Sequence, residues 1–207
     1  NGIKPVIVGG YMREYILNSK KKNDQFFAKD IDIELYNTKS YEQIESILKK
    51  FGNPNIVGKS FGVIKLYVDD LDLDFSLPRT ENKISSGHKG FSVSTYSNIS
   101  YYEASLRRDF TINSIGFDVL NKKILDPHKG LEDLKDKKLK IINTKTFVED
   151  PLRILRAMQF CARFNLEADD ELIKTASKMC KDKLLDELSK ERIYEEFKKL
   201  FLKAEKI

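Results

Sequence analysis

The spacing of apolar residues changes once along this 207-residue chain, and that change limits what it can fold into. Up to about Ile142, short apolar or alternating runs are interspersed with helical patterns. Pro5-Val6-Ile7-Val8 ends on Gly9-Gly10, and a helical pattern over Tyr11–Leu17 follows. Asn18–Asn23 is a lysine-rich loop. Asp30 to Tyr36 alternates polar and apolar residues, which predicts a half-buried strand. Tyr41 to Phe51 carries Ile44, Ile47, Leu48 and Phe51 at the spacing of a helix face. Val63–Val68 and Leu71–Leu77 predict two strands joined at Asp69-Asp70. Phe117–Val119 and Lys123–Leu125 predict a hairpin around Asn121. From Phe147 onward the period is helical, over Phe147–Phe164, Asp169–Cys180 and Ser189–Lys203. The last of these puts Ile193, Phe197, Leu200 and Phe201 on one face. The expected architecture is an α/β head over 1–145 and a small all-α domain over 146–207. Between strand and head core, Arg79–Ser100 is a long polar stretch, expected as a loop.

Bulk properties narrow the classes of function. With 41% hydrophobic and 33% charged residues the chain reads as a soluble globular protein. No apolar run approaches the ~20 residues of a membrane span. The net charge of +5 and pI of about 8.9 suit a polyanionic partner without requiring one. Cys161 and Cys180 lack metal-ligand spacing and read as reduced core thiols of a cytoplasmic protein. His88 and His128 are isolated. There is no Gly-Lys-Ser/Thr phosphate loop and no Ser/His/Asp or Cys/His arrangement.

The residue pairs that can carry chemistry are acids and arginines. Asp30 and Asp32 stand at i, i+2 on a strand, so both carboxylates leave the same side. Two such hard oxygen ligands suit Mg²⁺, which takes carboxylates together with water and substrate phosphate. Asp74, or less readily Asp72, can supply a third acid from a neighbouring strand. On spacing alone the pair reads as the wet face of an edge strand. Gly9-Gly10, between strand and helix, exposes backbone N–H groups that can meet phosphate, with Arg13 one turn on. Taken alone, it reads as an ordinary strand-to-helix turn. Arg79, Arg107 and Arg108 can clamp a triphosphate or sugar, or form surface ion pairs. Asn113 can bond a ribose hydroxyl or cap a turn. Asp150, Arg153 and Arg156 follow at i, i+3 and i+6. A carboxylate accepting an amino hydrogen beside a guanidinium donating to a ring nitrogen fits cytosine and adenine. Uracil and guanine reverse that polarity and leave both groups unpaired. The plain alternative is an ion pair within one helix.

With these residues in hand, the chain resembles the class II tRNA nucleotidyltransferases, the bacterial CCA-adding enzymes, and the related bacterial poly(A) polymerases. The resemblance is carried by Val8-Gly9-Gly10-x-x-Arg13, Lys29-Asp30-Ile31-Asp32 and Arg107-Arg108-Asp109-Phe110-Thr111-Ile112-Asn113. It continues through Asp126-Pro127-x-x-Gly130-Leu131-Glu132-Asp133-Leu134. Glu149-Asp150-Pro151-x-Arg153-x-Leu155-Arg156-Ala157 and Gln159-Phe160-x-Ala162-Arg163-Phe164 complete it.

The resemblance implies a catalytic head of the polymerase-β type, with a mixed sheet of about five strands and flanking helices, followed by a helical neck. It implies Asp30 and Asp32 as Mg²⁺ ligands and Asp74 as the third catalytic acid. Gly9, Gly10, Arg13, Arg79, Arg107, Arg108, Asp109, Asn113, Asp150, Arg153 and Arg156 become nucleotide-binding residues, with Asp150 and Arg153 selecting C and A. The expected partners are the 3′ end of tRNA, CTP and ATP, with no DNA and no membrane. The expected activity is template-independent CCA addition with release of pyrophosphate. A poly(A) polymerase, or a CC- or A-adding enzyme, would use the same residues. An inactive RNA-binding remnant is the alternative from another class. The segment Arg79–Ser100 corresponds to a mobile loop of the family. Met12-Arg13-Glu14 stands where the family usually has Val-Arg-Asp, and the 18–28 segment is longer than usual. The chain reads as a piece that stops before further body and tail helices.

Overall fold

The structure is a computed structural model that describes residues 2–19, 30–38, 40–57, 62–83, 91–95 and 99–204. Most of the lysine-rich loop, Lys29, and the Ser85–Gly90 run with His88 lie outside the described residues. The chain forms two compact units, and they do not follow a single cut in sequence. The first comprises 1–80, 93–105 and 113–127, and the second 81–92, 106–112 and 128–207. Residues 128–145, read from sequence as the end of the head, therefore pack with the C-terminal helices.

The first unit begins with β1 (Lys4–Val8), α1 (Gly10–Ser19), β2 (Asp30–Tyr36) and α2 (Tyr41–Leu48). It continues with β3 (Asn55–Val57), β4 (Val63–Val68) and β5 (Leu71–Ser76). After β6 (Arg79–Lys83) and β7 (Phe91–Thr95) come α3 (Tyr101–Ser105), β8 (Gly116–Asp118) and β9 (Lys123–Leu125). Seven strands form one mixed sheet in the order β3-β4-β5-β2-β1-β8-β9, two more than the family resemblance implies. Within it β2 and β5 are parallel, and the other pairs are antiparallel. Instead of an unbroken loop after Arg79, β6 and β7 pair in a small sheet of their own.

Alternation along β2 decides which side of the sheet does what. Leu35 joins Ile64, Leu66 and Leu77 under Ile44 and Leu48 of α2, with Ile33, Leu73 and Phe75 packed alongside. Ser40 caps α2 by accepting the Gln43 N–H. The other face carries Asp30, Asp32, Glu34 and Tyr36. There Val6, Val8, Tyr36 and Ala104 form a second cluster with Tyr101 and Leu125. Glu34 is buried and accepts the Tyr36 hydroxyl at 2.8 Å.

One carboxylate fastens the β8–β9 end of the sheet. Asp118 accepts the Asn121 N–H at 3.1 Å and Nδ2 at 2.8 Å, and Lys4 Nζ at 2.9 Å. The Asn121 amide first, and then Lys4, lower its pKa from 3.8 to about 2. A depressed carboxylate contributes stability that is present above its ordinary pKa and is lost as pH falls through the folded value. Asp118→Asn is therefore expected to melt below wild type at neutral pH. The gap should narrow below pH 3.8 and close near pH 2. Thermal melts across that range check this, and a gap independent of pH would contradict it.

The second unit holds α4 (Gly130–Lys135), β10 (Lys138–Leu139), α5 (Thr144–Phe147), α6 (Leu152–Phe164), β11 (Glu167–Ala168), α7 (Asp170–Lys181) and α8 (Lys190–Lys203). The apolar spacing predicts one helix from Phe147 to Phe164. The structure breaks it, with α5 ending at Phe147 and Pro151 starting α6, because proline has no N–H to continue a ladder. Phe110 is fully buried, with the rings of Phe147 and Phe160 at 5.8 and 5.5 Å from its own. Asp169 caps α7, which has Asp170 and Glu171 in its first turn and Lys178 and Lys181 in its last, as the helix dipole favours. Cys161 is half-buried, but Cys180, expected in the core, is exposed. It falls one position beyond Met179, where the buried stripe of α7 ends. On α8 the buried residue is Glu196, while Phe197 and Phe201 stack on each other at the surface. No helix among the described residues is long and apolar enough to cross a membrane.

Candidate active site

In the first unit the register of three strands sets a row of charges. Asp32 of β2 stands opposite Asp74 of β5, and Asp74 opposite Lys65 of β4. One step along, Asp30 faces Asp72, and Asp72 faces Tyr67. Because paired residues share a face, Asp30, Asp32, Asp72, Asp74 and Lys65 all lie on the same side of the sheet. Asp30 and Asp32 are exposed at the start of β2. Asp74 is not: Lys65 Nζ lies 2.8 Å from each of its carboxylate oxygens. This bond to Asp74 raises the Lys65 pKa, and the charges of Asp74, Asp72 and Asp30 add to the effect.

Gly9 closes the row on its other side. Val8 pairs with Asp32, and the next residue turns out of β1 into α1 with φ +73°. A Cβ at Gly9 would lie 3.0 Å from Asp32 Oδ2. Glycine is needed here twice, for the left-handed backbone and for the approach to the carboxylate. Gly9→Ala is expected to lose most activity and some stability, and Gly10→Ala much less, because Gly10 has ordinary helical backbone. Parallel melts and incorporation assays check the order, and a harmless Gly9→Ala would contradict it.

Arg13 and Asn113 meet each other. Arg13 is 4% exposed, and its guanidinium donates to Asn113 Oδ1 and, at 3.3 Å, to Glu14 Oε1. The contact ties α1 to Asn113 within the first unit. Arg79 is half-buried at the start of β6, and its charge acts on the Tyr41 phenol, whose pKa burial raises.

In the second unit Arg107, Arg108 and Asp109 follow one another in an irregular segment. The two arginines are half-buried and Asp109 is buried. Asp109 Oδ1 accepts the Phe110 N–H at 2.8 Å, and Oδ2 accepts Arg156 Nε at 2.8 Å. Arg156 also lies 5.1 Å over the Phe160 ring and 3.9 Å from Glu196. The side chains of Asp150 and Arg153 do not pair, although the Arg153 N–H donates to the Asp150 backbone oxygen at 3.0 Å. Arg153 donates to the backbone oxygens of Thr146 at 2.7 Å and of Arg107 at 2.6 Å. Asp150 lies before α6, accepts the Leu152 N–H at 3.2 Å, and takes Arg192 Nη2 at 3.1 and 3.0 Å. Both groups are thus held in place by other partners. Sequence reasoning missed Arg192 and Lys65. Arg192 lies 42 residues from its partner and leaves no local signal, whereas Lys65 was findable from the β4–β5 hairpin.

Among the described residues no group of three or more His, Cys, Asp or Glu side chains is arranged to hold one metal ion. The donor set that fits a hard cation is the exposed pair Asp30 and Asp32, since one or two carboxylates with water and phosphate suffice for Mg²⁺.

Residues 6–140 match the family described as the poly A polymerase head domain. The chain is 32% identical over 193 residues to the Multifunctional CCA protein of Neisseria meningitidis serogroup C, covering 93% of this chain and 42% of that protein. It is 32% identical over 203 residues to the CCA-adding enzyme of Buchnera aphidicola, covering 96% of this chain and 44% of the relative. The chain therefore spans less than half the length of these relatives. A tRNA nucleotidyltransferase solved with a primer tRNA and an incoming ATP analog is similar with TM-score 0.75 and 28% identity, covering 95% of this chain and 52% of that one. A tRNA-processing enzyme solved with CTP is similar with TM-score 0.76 and 27% identity, covering 95% and 48%.

Proposed function

Because this chain belongs to the poly(A) polymerase head-domain family, we propose that it transfers C and A residues from CTP and ATP to the 3′ end of tRNA lacking its CCA, releasing pyrophosphate. The observation that carries the reading is the row beside Gly9, where exposed Asp30 and Asp32 stand next to a glycine-lined strand-to-helix turn. The names of the relatives and the tRNA, CTP and ATP analog bound by similar structures support the choice of substrates.

The residues divide the work. Asp30 and Asp32 would hold Mg²⁺, with Asp74 as a third acid. When bound, the cation supplies charge that steadies the triphosphate and makes the attacking hydroxyl more acidic. Gly9 and Gly10 offer backbone N–H groups to phosphate at the start of α1. Arg79, Arg107 and Arg108 supply positive charge for the triphosphate and sugar. Asp150 accepts the amino hydrogen of cytosine or adenine, and Arg153 donates to the ring nitrogen beside it. The guanidinium of Arg153 has five N–H donors and gives two to backbone, so donors remain for a base. Arg13, Asn113, Asp109 and Arg156 act through position, by fixing the elements that carry these groups. A cytoplasmic location fits a tRNA-processing role.

A poly(A) polymerase is the second reading, favoured by the description of the matched family. Product length separates the two. Given CTP and ATP on tRNA lacking CCA, the proposed enzyme adds three nucleotides and stops. An open-ended A tail made from ATP alone would overturn the CCA reading in favour of the second.

A further inference from the structure

Lys65 is not among the groups that the proposed reaction uses, yet it is built into the acid row. It stands directly opposite Asp74 on the neighbouring strand, and each lies four residues from the Asp69-Asp70 turn, so the hairpin fixes the pairing. Its ammonium lies 2.8 Å from both Oδ1 and Oδ2 of Asp74. A cation entering beside Asp32 therefore meets a third carboxylate whose two oxygens already face a positive charge. The lysine is not locked there, since its side chain is 50% exposed and that of Asp74 29%. Its flexible stem can swing out to solvent without disturbing the core.

We infer that Lys65 is a built-in counter-ion of Asp74 that competes with a divalent cation for this carboxylate, so that the row switches between two available acids and three. The inference rests on the proposed role of Asp30 and Asp32. With Lys65 on Asp74, a cation is held by that pair alone. With Lys65 swung away, Asp74 joins them. Lys65 is a positioning residue in this scheme: it controls an acid and touches no substrate.

The test is binding of Mn²⁺ alone to the nucleotide-free chain, read from the electron paramagnetic resonance signal of free Mn²⁺. Asp32→Asn should weaken binding in every background. Lys65→Met should tighten it about threefold to fivefold, the scale of a partly exposed ion pair. Lys65→Arg, which keeps a cation opposite Asp74, should stay near wild type. In an Asp74→Asn background Lys65→Met should bring no gain. If Asp32→Asn weakens binding but Lys65→Met does not tighten it, the acid-row reading stands and this inference falls. An equal gain without Asp74 also overturns it, because the lysine would then act only through general charge. If Asp32→Asn changes nothing, both fall together. Should Lys65→Met melt early, Lys65→Gln provides the same comparison with a polar tip.

Discussion

Asp32→Asn is expected to reduce nucleotide incorporation by on the order of 10²–10³-fold or more, the scale on which losing one preorganised electrostatic contact at a reacting centre acts. The fold should survive. Asp32 is exposed and holds up no core, and Asn keeps its shape. The loss is of charge, and charge is what a divalent cation and a triphosphate need at this point. Asp30→Asn should behave alike, since it leaves the same face of β2. Asp72→Asn, one strand over and opposite Asp30, should be mild. Single-turnover incorporation with a parallel melt separates chemistry from stability. Activity within a few-fold of wild type in a folded Asp32→Asn protein would remove the acid row as the reacting centre.

The second large effect is expected at Arg153, and it has two components. Arg153→Ala strips two backbone oxygens, those of Thr146 and Arg107, of a charged donor. The Thr146 oxygen keeps the Glu149 N–H at 3.3 Å, so what is lost is two charge-assisted hydrogen bonds, together worth on the order of 1.5–3 kcal/mol, and the variant should melt earlier. Beyond that, rejection of UTP and GTP should relax by about 10²-fold, because a site that bonds one edge polarity discriminates mainly through the unpaired groups a wrong base leaves behind. The readout is kcat/KM for all four nucleotides at a temperature where the variant is folded. A variant that still refuses UTP and GTP as sharply as wild type would move base reading away from α6.

The physical nature of each feature explains how far it was legible in the sequence. The Asp30–Tyr36 strand was readable because Asp30 and Asp32 are exposed while Ile31 and Ile33 are half-buried, and that alternation carries on to Tyr36 although Glu34, Leu35 and Tyr36 are all buried. The shared face of Asp30 and Asp32 followed from the same period of two. Pro151 should have split the Phe147–Phe164 pattern, but apolar periodicity carried the reading across it. Strands β3, β10 and β11 have three, two and two residues, too few to show any period. Strands β6 and β7 lie in the long polar segment after Arg79, where the predominance of polar residues pointed to one loop.

At the sites, the residue types were legible and their partners were not. Asp150 and Arg153 sit at a spacing that suggests an ion pair, yet each is held by something else. Arg153 is held by backbone oxygens, which no side-chain motif displays. Asp150 is held by an arginine 42 residues away. Likewise Asp109 and Arg156 pair across 47 residues, and Arg13 and Asn113 across 100. Such contacts are products of the fold and are not encoded locally. Lys65 is the exception, because a two-residue turn fixes which residues of a hairpin face each other, and counting outward from Asp69-Asp70 leads to Asp74.

The central claim, that this chain transfers nucleotides from CTP and ATP to an RNA 3′ end at the acid row, is tested most directly by following label and pyrophosphate together. The substrate is tRNA lacking its CCA, with labelled CTP, ATP, UTP or GTP offered in turn, in the presence of Mg²⁺ and again with a chelator. The account predicts incorporation of C, and of A after C, with one pyrophosphate released per nucleotide added. It also predicts near-absence of U and G, and loss of all incorporation with the chelator. Incorporation that persists without a divalent cation, or no incorporation of C or A with Mg²⁺ present, would contradict it.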